Sequence, residues 1–185
     1  VIADLAPAAG SLPLAPALDR PDLLAAPVAA ALAALPDDVA VSCAVVEIAP
    51  DLADTAAFCE AYGSPLEASA NCVVVAGSRS GEQRFGACVV LATTRADVNG
   101  VVRRRLDVRK ASFAPMETAV ELTGMAYGGI TPFGLPASWP LLVDAAVLAT
   151  PAVVVGSGIR GSKLVVPGSV LGQVPGAEAT EALGR

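Results

Sequence analysis

The chain has 185 residues, a formal charge of −6, 54% hydrophobic side chains and only 4% aromatic ones. This is most simply one domain with extra sequence at an end, long enough to bury a core built from small side chains. It contains no histidine, which removes Ser-His-Asp and Cys-His chemistry and leaves carboxylates, Lys, Tyr, backbone groups or the substrate itself for any catalysis.

Residues 1–20 are rich in Ala, Pro and Leu without a clear period and read as an extended lead-in. From Pro21 to Leu35, the residues Leu23, Leu24, Val28, Leu32 and Leu35 recur at helical spacing, and Pro36-Asp37-Asp38 ends that helix. Val39 to Ile48 reads as a strand. Asp51 to Tyr62 reads as a helix, with Asp51 or Asp54 near its start and Gly63 after it. Two apolar runs, Cys72–Val75 and Ala87–Ala92, flank the polar segment Gly77-Ser78-Arg79-Ser80-Gly81. They predict a hairpin with a connection of roughly five to ten residues. Asp97 to Leu106 predicts a short helix carrying Arg103-Arg104-Arg105, Val108 to Phe113 a short strand, and Pro115 to Leu122 a helix with proline near its first turn. Leu141–Leu148, Ala152–Val155 and Leu164–Val166 read as strands, Pro167 to Leu171 as the start of a helical turn, and residues 175–185 as frayed. Helices and strands are interspersed, and several neighbouring strands are joined by short turns. The pattern favours an α+β fold over a doubly wound parallel sheet: a largely antiparallel mixed sheet, or a barrel-like one, with surrounding helices.

Charge is unevenly distributed. Residues 1–70 carry ten acidic groups and one basic, residues 71–110 eight basic and three acidic, and residues 111–185 five acidic and three basic. A cationic island of Arg79, Arg84, Arg95, the Arg103–Arg105 triplet, Arg109 and Lys110 thus sits in an acidic chain. It is either a solvated face or a docking patch for a polyanion. No apolar run reaches the length of a membrane span, since Leu141 to Val155 is broken by Asp144, Thr150 and Pro151. The first residues lack the basic start and apolar centre of a secretory signal, so a soluble cytoplasmic protein is expected. Cys43, Cys59, Cys72 and Cys88 form no C-x-x-C pair, which points to buried reduced thiols rather than zinc. No metal or cofactor is expected.

Between a helical and a strand-like pattern, Thr123 to Pro136 holds four glycines and two prolines. Such a segment is either a tight turn or a rigid loop whose own N–H and C=O groups face a ligand. Tyr127, just before Gly128, lines a pocket or packs beside the loop. Gly156-Ser157-Gly158-Ile159-Arg160-Gly161 fits G-x-G-x-x-G, but a dinucleotide site needs a helix next, and Ser162 to Pro167 reads as a strand. A glycine hairpin is the better reading. Asp97, Asp107 and Glu117 are scattered singly and suit surface or capping roles.

Three segments together carry a family resemblance. Glu117-Thr118-Ala119-Val120-Glu121-Leu122-Thr123-Gly124 is a helix running into Thr-Gly. Gly128-Gly129-Ile130-Thr131-Pro132-Phe133-Gly134 has a G-x-x-x-P loop followed by Phe-Gly. Val153 to Gly161 followed by Leu164 is a strand, a glycine turn and a strand. In this order, from about Asn71 to Pro167, the chain resembles the YbaK/prolyl-tRNA-synthetase-associated editing domains, the aminoacyl-tRNA deacylases. The resemblance divides the chain into an N-terminal extension with one amphipathic helix (1–38), an editing domain (39–174) and a C-terminal tail (175–185).

The resemblance implies a free-standing deacylase that hydrolyses the ester of a small amino acid mischarged on tRNA. The nucleophile would be the terminal ribose hydroxyl, a water or a substrate thiol, so no histidine is required. Gly128 and Gly129 would orient the aminoacyl group with backbone dipoles, and Pro132 would hold the loop against it. Asn71, Tyr127, Ile130, Thr131, Phe133, Gly156 and Gly158 would bind substrate; Arg103, Arg104, Arg105, Arg109 and Lys110 would bind the acceptor end of mischarged aminoacyl-tRNA. Asn71 stands where the family usually has a lysine that contacts the 3′-terminal nucleotide, and an amide brings no charge to that contact. Lys110 or Lys163 could supply it from another strand. The alternative is a catalytically inactive module of the same fold that binds a nucleotide, a small amino acid or a protein partner.

Overall fold

The computed structural model describes residues 2–185. In chain order it contains α1 (Ala6–Ala9), β1 (Ala15–Pro16), α2 (Ala26–Ala33), α3 (Asp37–Ala40), β2 (Ala44–Glu47) and α4 (Thr55–Tyr62). The hairpin β3 (Ala70–Arg79) and β4 (Glu82–Leu91) follows, then a π-helical turn (Val98–Val102) that runs into α5 (Arg103–Leu106). The remainder is β5 (Ala111–Phe113), α6 (Met116–Thr123), β6 (Leu141–Asp144), α7 (Ala145–Leu148), β7 (Val153–Gly156), β8 (Ser162–Val166) and β9 (Ala177–Thr180).

The strands form two sheets, ordered β1-β2-β8-β7 and β5-β3-β4-β6-β9. Among the described residues five strand pairs are antiparallel, and two, β4–β6 and β6–β9, are parallel. The fold is therefore α+β with mostly antiparallel pairing, as the element order implies, but it is not closed into a barrel. β3 already pairs with β4 along its whole length and with β5 near its far end. Only Ser69, just before β3, is left to meet β7, through a single bridge to Val154. That bridge marks the seam between the sheets.

The four-stranded sheet is covered on both faces, which explains its continuous apolar runs. Val45, Val155 and Leu164 face one core, with Val28, Leu32 and Phe133. Their alternating neighbours Val46, Val154 and Val165 face a second, with Leu5 and Phe58. A third core, including Val75, Cys88, Val102 and Leu106, fills the space beneath the π-helical turn and α5. The thiols sit in or beside these cores. Burial raises the pKa of Cys43 to about 11 and that of Cys88 to about 12, and it pushes Cys72 up further, helped by the neighbouring Cys88. None of these three is a thiolate nucleophile near neutral pH.

Several local readings are corrected. Residues 2–9 are helical rather than extended. The strand expected from Val39 begins only at Ala44, because Pro36 starts α3 and Asp37 and Asp38 occupy its first turn, where acidic side chains suit the helix dipole. The run Leu141–Leu148 splits at Asp144, whose carboxylate accepts from the Ala146 N–H at 2.8 Å, ending β6 and capping α7. Asp97 likewise caps the Gly100 and Val101 N–H groups at 3.1 and 3.0 Å, giving a π-helical turn before α5 rather than one short helix. The hairpin connection is shorter than expected: Ser80 and Gly81, both at positive φ, turn the chain directly. Residues 177–180 are not frayed but pair in parallel with β6, and Leu183 is fully buried.

Candidate active site

A cleft of about 550 Å3 opens at the seam between the sheets. Its walls come from the start of α4, the first residues of β3, the end of β5, the Tyr127–Ile130 loop, and β7 with β8. The loop is held there by the glycine turn that follows β7. The Gly158 N–H donates to the Gly129 carbonyl at 2.7 Å, and the Ala126 N–H donates to the Gly158 carbonyl at 2.8 Å. A Cβ on Gly156 would run into the Gly129 carbonyl oxygen and lie 2.6 Å from that of Ile130. One on Gly129 would lie 2.6 Å from the Ile159 carbonyl oxygen. These glycines are therefore close-approach positions, and G-x-G-x-x-G here serves loop packing rather than a pyrophosphate.

Arg160 fixes the loop from its other side, donating to the Tyr127 carbonyl at 3.2 Å and to the Pro50 carbonyl at 2.9 Å. Gly128 needs its positive φ of 81°, and its N–H donates to no backbone carbonyl among the described residues. Asn71 is oriented by Thr55, whose hydroxyl donates to Oδ1 at 2.9 Å. Among the described residues the amide nitrogen donates to no partner, which leaves its two N–H groups available at the cleft wall.

Lys163 enters the cleft from β8. It is only 7% exposed, donates to the Ala53 carbonyl at 2.6 Å and sits 5.9 Å from the Phe58 ring centre. Burial lowers its pKa below the ordinary 10.5; Asp54 and Cys59 oppose that shift, and Arg160 adds to it. No carboxylate lies within ion-pair distance of its ammonium among the described residues. Asp54 is on the same cleft wall, but its carboxylate caps α4 by accepting from the Ala56 and Ala57 N–H groups. The cleft thus presents oriented donors and one desolvated amine, an arrangement suited to a substrate that carries negative charge or develops it.

The structure brings Asn71, Tyr127, Gly128, Ile130 and Gly156 together at this cleft. Gly129 is in the same loop, buried against Ile159. Thr131, Pro132, Phe133 and Gly158 lie behind the wall: Thr131 and Phe133 are fully buried, and Gly158 packs on Ala25 and Val28. The Thr131 hydroxyl has no hydrogen-bond partner among the described residues. The sequence singled out neither Thr55, Phe113 nor Arg160, and Lys163 only as a possible substitute. Its one signal was a lysine immediately before the apolar run Leu164–Val166.

Apart from Arg95, which follows β4 at the opposite end, the arginine island lies toward the far end of the β3–β4 hairpin. Asn71 and Arg79 are the near and far ends of β3, roughly 25 Å apart at the usual strand rise. Asp107 pairs with Arg79 and with Arg84, and Arg105 is held by Glu178 at 2.7 Å. Arg103, Arg104, Arg109 and Lys110 have no carboxylate partner among the described residues, although the Arg103 Nε donates to the Asn99 carbonyl. Lys110 is exposed here, so it is not the lysine of the cleft.

Several solved structures share the fold. One is a candidate trans-editing enzyme for prolyl tRNA synthetase, with a TM-score of 0.62 and 23% identity over 74% of this chain and 83% of that one. A hypothetical protein gives a TM-score of 0.66 at 20% identity, covering 76% of this chain and 90% of the other. A scaffold from epitope backbone grafting by computational design gives 0.63 at 21%, covering 74% and 84%. At these identities the likeness is one of fold. No helix among the described residues is long and apolar enough to cross a membrane. The aminoacyl-tRNA editing domain matches residues 49–172, which take in the cleft, its loop and the arginine island. By that match, over more than half of its length, the chain belongs to the aminoacyl-tRNA editing domain family.

Proposed function

We propose that the protein is a deacylase that removes a small amino acid from mischarged tRNA. The observation that carries this reading is the cleft itself. The family's glycine loop is locked against β7, and a buried Lys163 with no carboxylate partner among the described residues faces the same space as Asn71. Lys163 supplies, from β8, the cation that Asn71 does not. It would hold the 3′-terminal nucleotide or the ester, while Gly128 and the Asn71 amide orient the aminoacyl group. With no histidine in the chain, a ribose hydroxyl, a water or a substrate thiol attacks the ester carbonyl. The charge that develops on the carbonyl oxygen falls among donors that need not reorganise. A pocket of fixed size separates substrates by about 1–3 kcal/mol per methylene, so preference within small amino acids will be graded rather than absolute.

The arginine island completes this reading as the anchor for the acceptor arm: it begins at Arg109 and Lys110, just before the cleft-lining end of β5, and reaches Arg79, some 25 Å from Asn71 along β3. Binding of tRNA measured by fluorescence anisotropy should weaken steeply as salt rises from about 50 to 200 mM. The double substitution Arg103→Ala, Arg104→Ala should lower the slope of log affinity against log salt by about two. An affinity that does not change with salt removes the island from the mechanism. Hydrolysis is tested directly with tRNAs mischarged with Ala, Cys, Ser or Thr. Asn71 favours a second reading, a module that binds without turnover, and that panel separates the two.

A further inference from the structure

The chain has seven aromatic side chains, four Phe, two Tyr and one Trp, and only Phe113 and Tyr127 are exposed. They are 63% and 61% exposed, and both line the cleft between the sheets, together with Met116 at 52%. A chain this poor in aromatics that puts both of its exposed rings at one opening has an apolar patch that marks an interaction site. The three residues come from different elements: Phe113 ends β5, Met116 begins α6, and Tyr127 precedes Gly128 in the loop.

Charge identifies the occupant. Arg160 lies against the Tyr127 backbone behind the loop, with donors to spare beyond its two carbonyls. Lys163 lines the cleft itself, where the one lining carboxylate among the described residues, Asp54, is taken up in capping α4. β5, which ends at Phe113, follows directly on Arg109 and Lys110 of the arginine island. Exposed rings flanked by cations suit a chain of phosphates bearing flat bases. A duplex hides its base faces, so those bases must be unstacked and single-stranded. We propose that Phe113, Tyr127 and Met116 form a stacking platform for the unpaired bases at the 3′ end of RNA, which reads single-strandedness rather than sequence. This inference rests on the deacylase reading for the identity of the RNA and adds a binding subsite to it.

The test uses the full chain and a short single-stranded RNA ending in CCA, with 2-aminopurine replacing the terminal adenine, alongside hydrolysis of mischarged tRNA. Stacking should quench the 2-aminopurine fluorescence on binding. Phe113→Leu with Tyr127→Leu keeps the apolar bulk but removes the π faces, and should abolish the quench and weaken binding about 10- to 100-fold. Phe113→Trp should preserve both. All three substitutions are at exposed positions, and an unchanged Tm verifies that the fold is intact. If the wild type hydrolyses mischarged tRNA but gives no quench, or the leucine variant binds as tightly, the platform is overturned and the deacylase reading stands. A quench that depends on the rings, without hydrolysis of any tRNA, upholds the platform and removes the deacylase reading.

Discussion

Replacing Lys163 by methionine should lower single-turnover hydrolysis by about 100-fold, the loss typical of removing one oriented donor from developing charge. The fold should survive the change. The ammonium is buried without an ion-pair partner, and its desolvation counts against the native state. Its loss also leaves the buried Ala53 carbonyl without a donor, which costs about 1–3 kcal/mol. The two effects offset, so Tm should move by only a few degrees. The same lysine leaves a signature in the pH dependence of stability. Its native pKa lies below 10.5, so between the two values the unfolded chain holds a proton that the native chain has released. Its contribution to stability therefore rises with pH through that window and levels off above about 10.5. Lys163→Met should remove that rise, measurable in denaturant midpoints taken across alkaline pH. A variant that keeps its activity would place Lys163 outside the reaction.

The second large effect is expected at Gly156. A single methyl there would collide with the Gly129 and Ile130 carbonyl oxygens, backbone atoms that cannot swing aside as a side chain would. The loop has to move, and a displacement near 1 Å in a positioning element can cost about 100-fold in rate. Overpacking of this kind should also destabilise the protein by about 1–3 kcal/mol. Gly161→Ala supplies the comparison within the same motif. A Cβ there meets nothing within 4 Å, and the residue has no positive φ, so its rate and Tm should match the wild type. Equal behaviour of the two alanine variants would show that the contact between loop and turn does not position the site.

The parts of this protein that were legible in the sequence are those encoded by local chemistry. Asp54 and Gly63 bracket α4 as N-cap and left-handed C-cap, as their spacing predicts. The Gly128–Gly134 and Gly156–Gly161 motifs each read as glycine-rich turns, and the structure joins them through bonds that neither motif shows alone. Failures came where distant partners decide the outcome. Ala177-Glu178-Ala179-Thr180 has little intrinsic strand character and becomes β9 only because β6 offers it a free edge. Asp144 sits inside an apolar run, and only the turn that follows reveals it as a cap.

The site shows the same division. Lys163 lies within β8, between Ser162 and Leu164, where a lysine would ordinarily reach solvent from a sheet edge. Here β2 and β7 pair on either side of β8, and the opening beneath α4 receives the amine. Phe113 is one apolar residue in a short strand, and nothing in the sequence distinguishes a core ring from a rim ring. Both positions depend on how β3 meets β7 at the seam, a contact between residues far apart in the chain.

Single-turnover hydrolysis of tRNAs mischarged with Ala, Cys, Ser or Thr, by the wild type and by Lys163→Met at saturating protein, probes the deacylase reading most directly. It predicts that the wild type clears one or two of the four esters and that the variant does so about 100-fold more slowly. Esters that decay no faster with the wild type than in buffer, despite saturable tRNA binding, would contradict it and leave a binding module in its place.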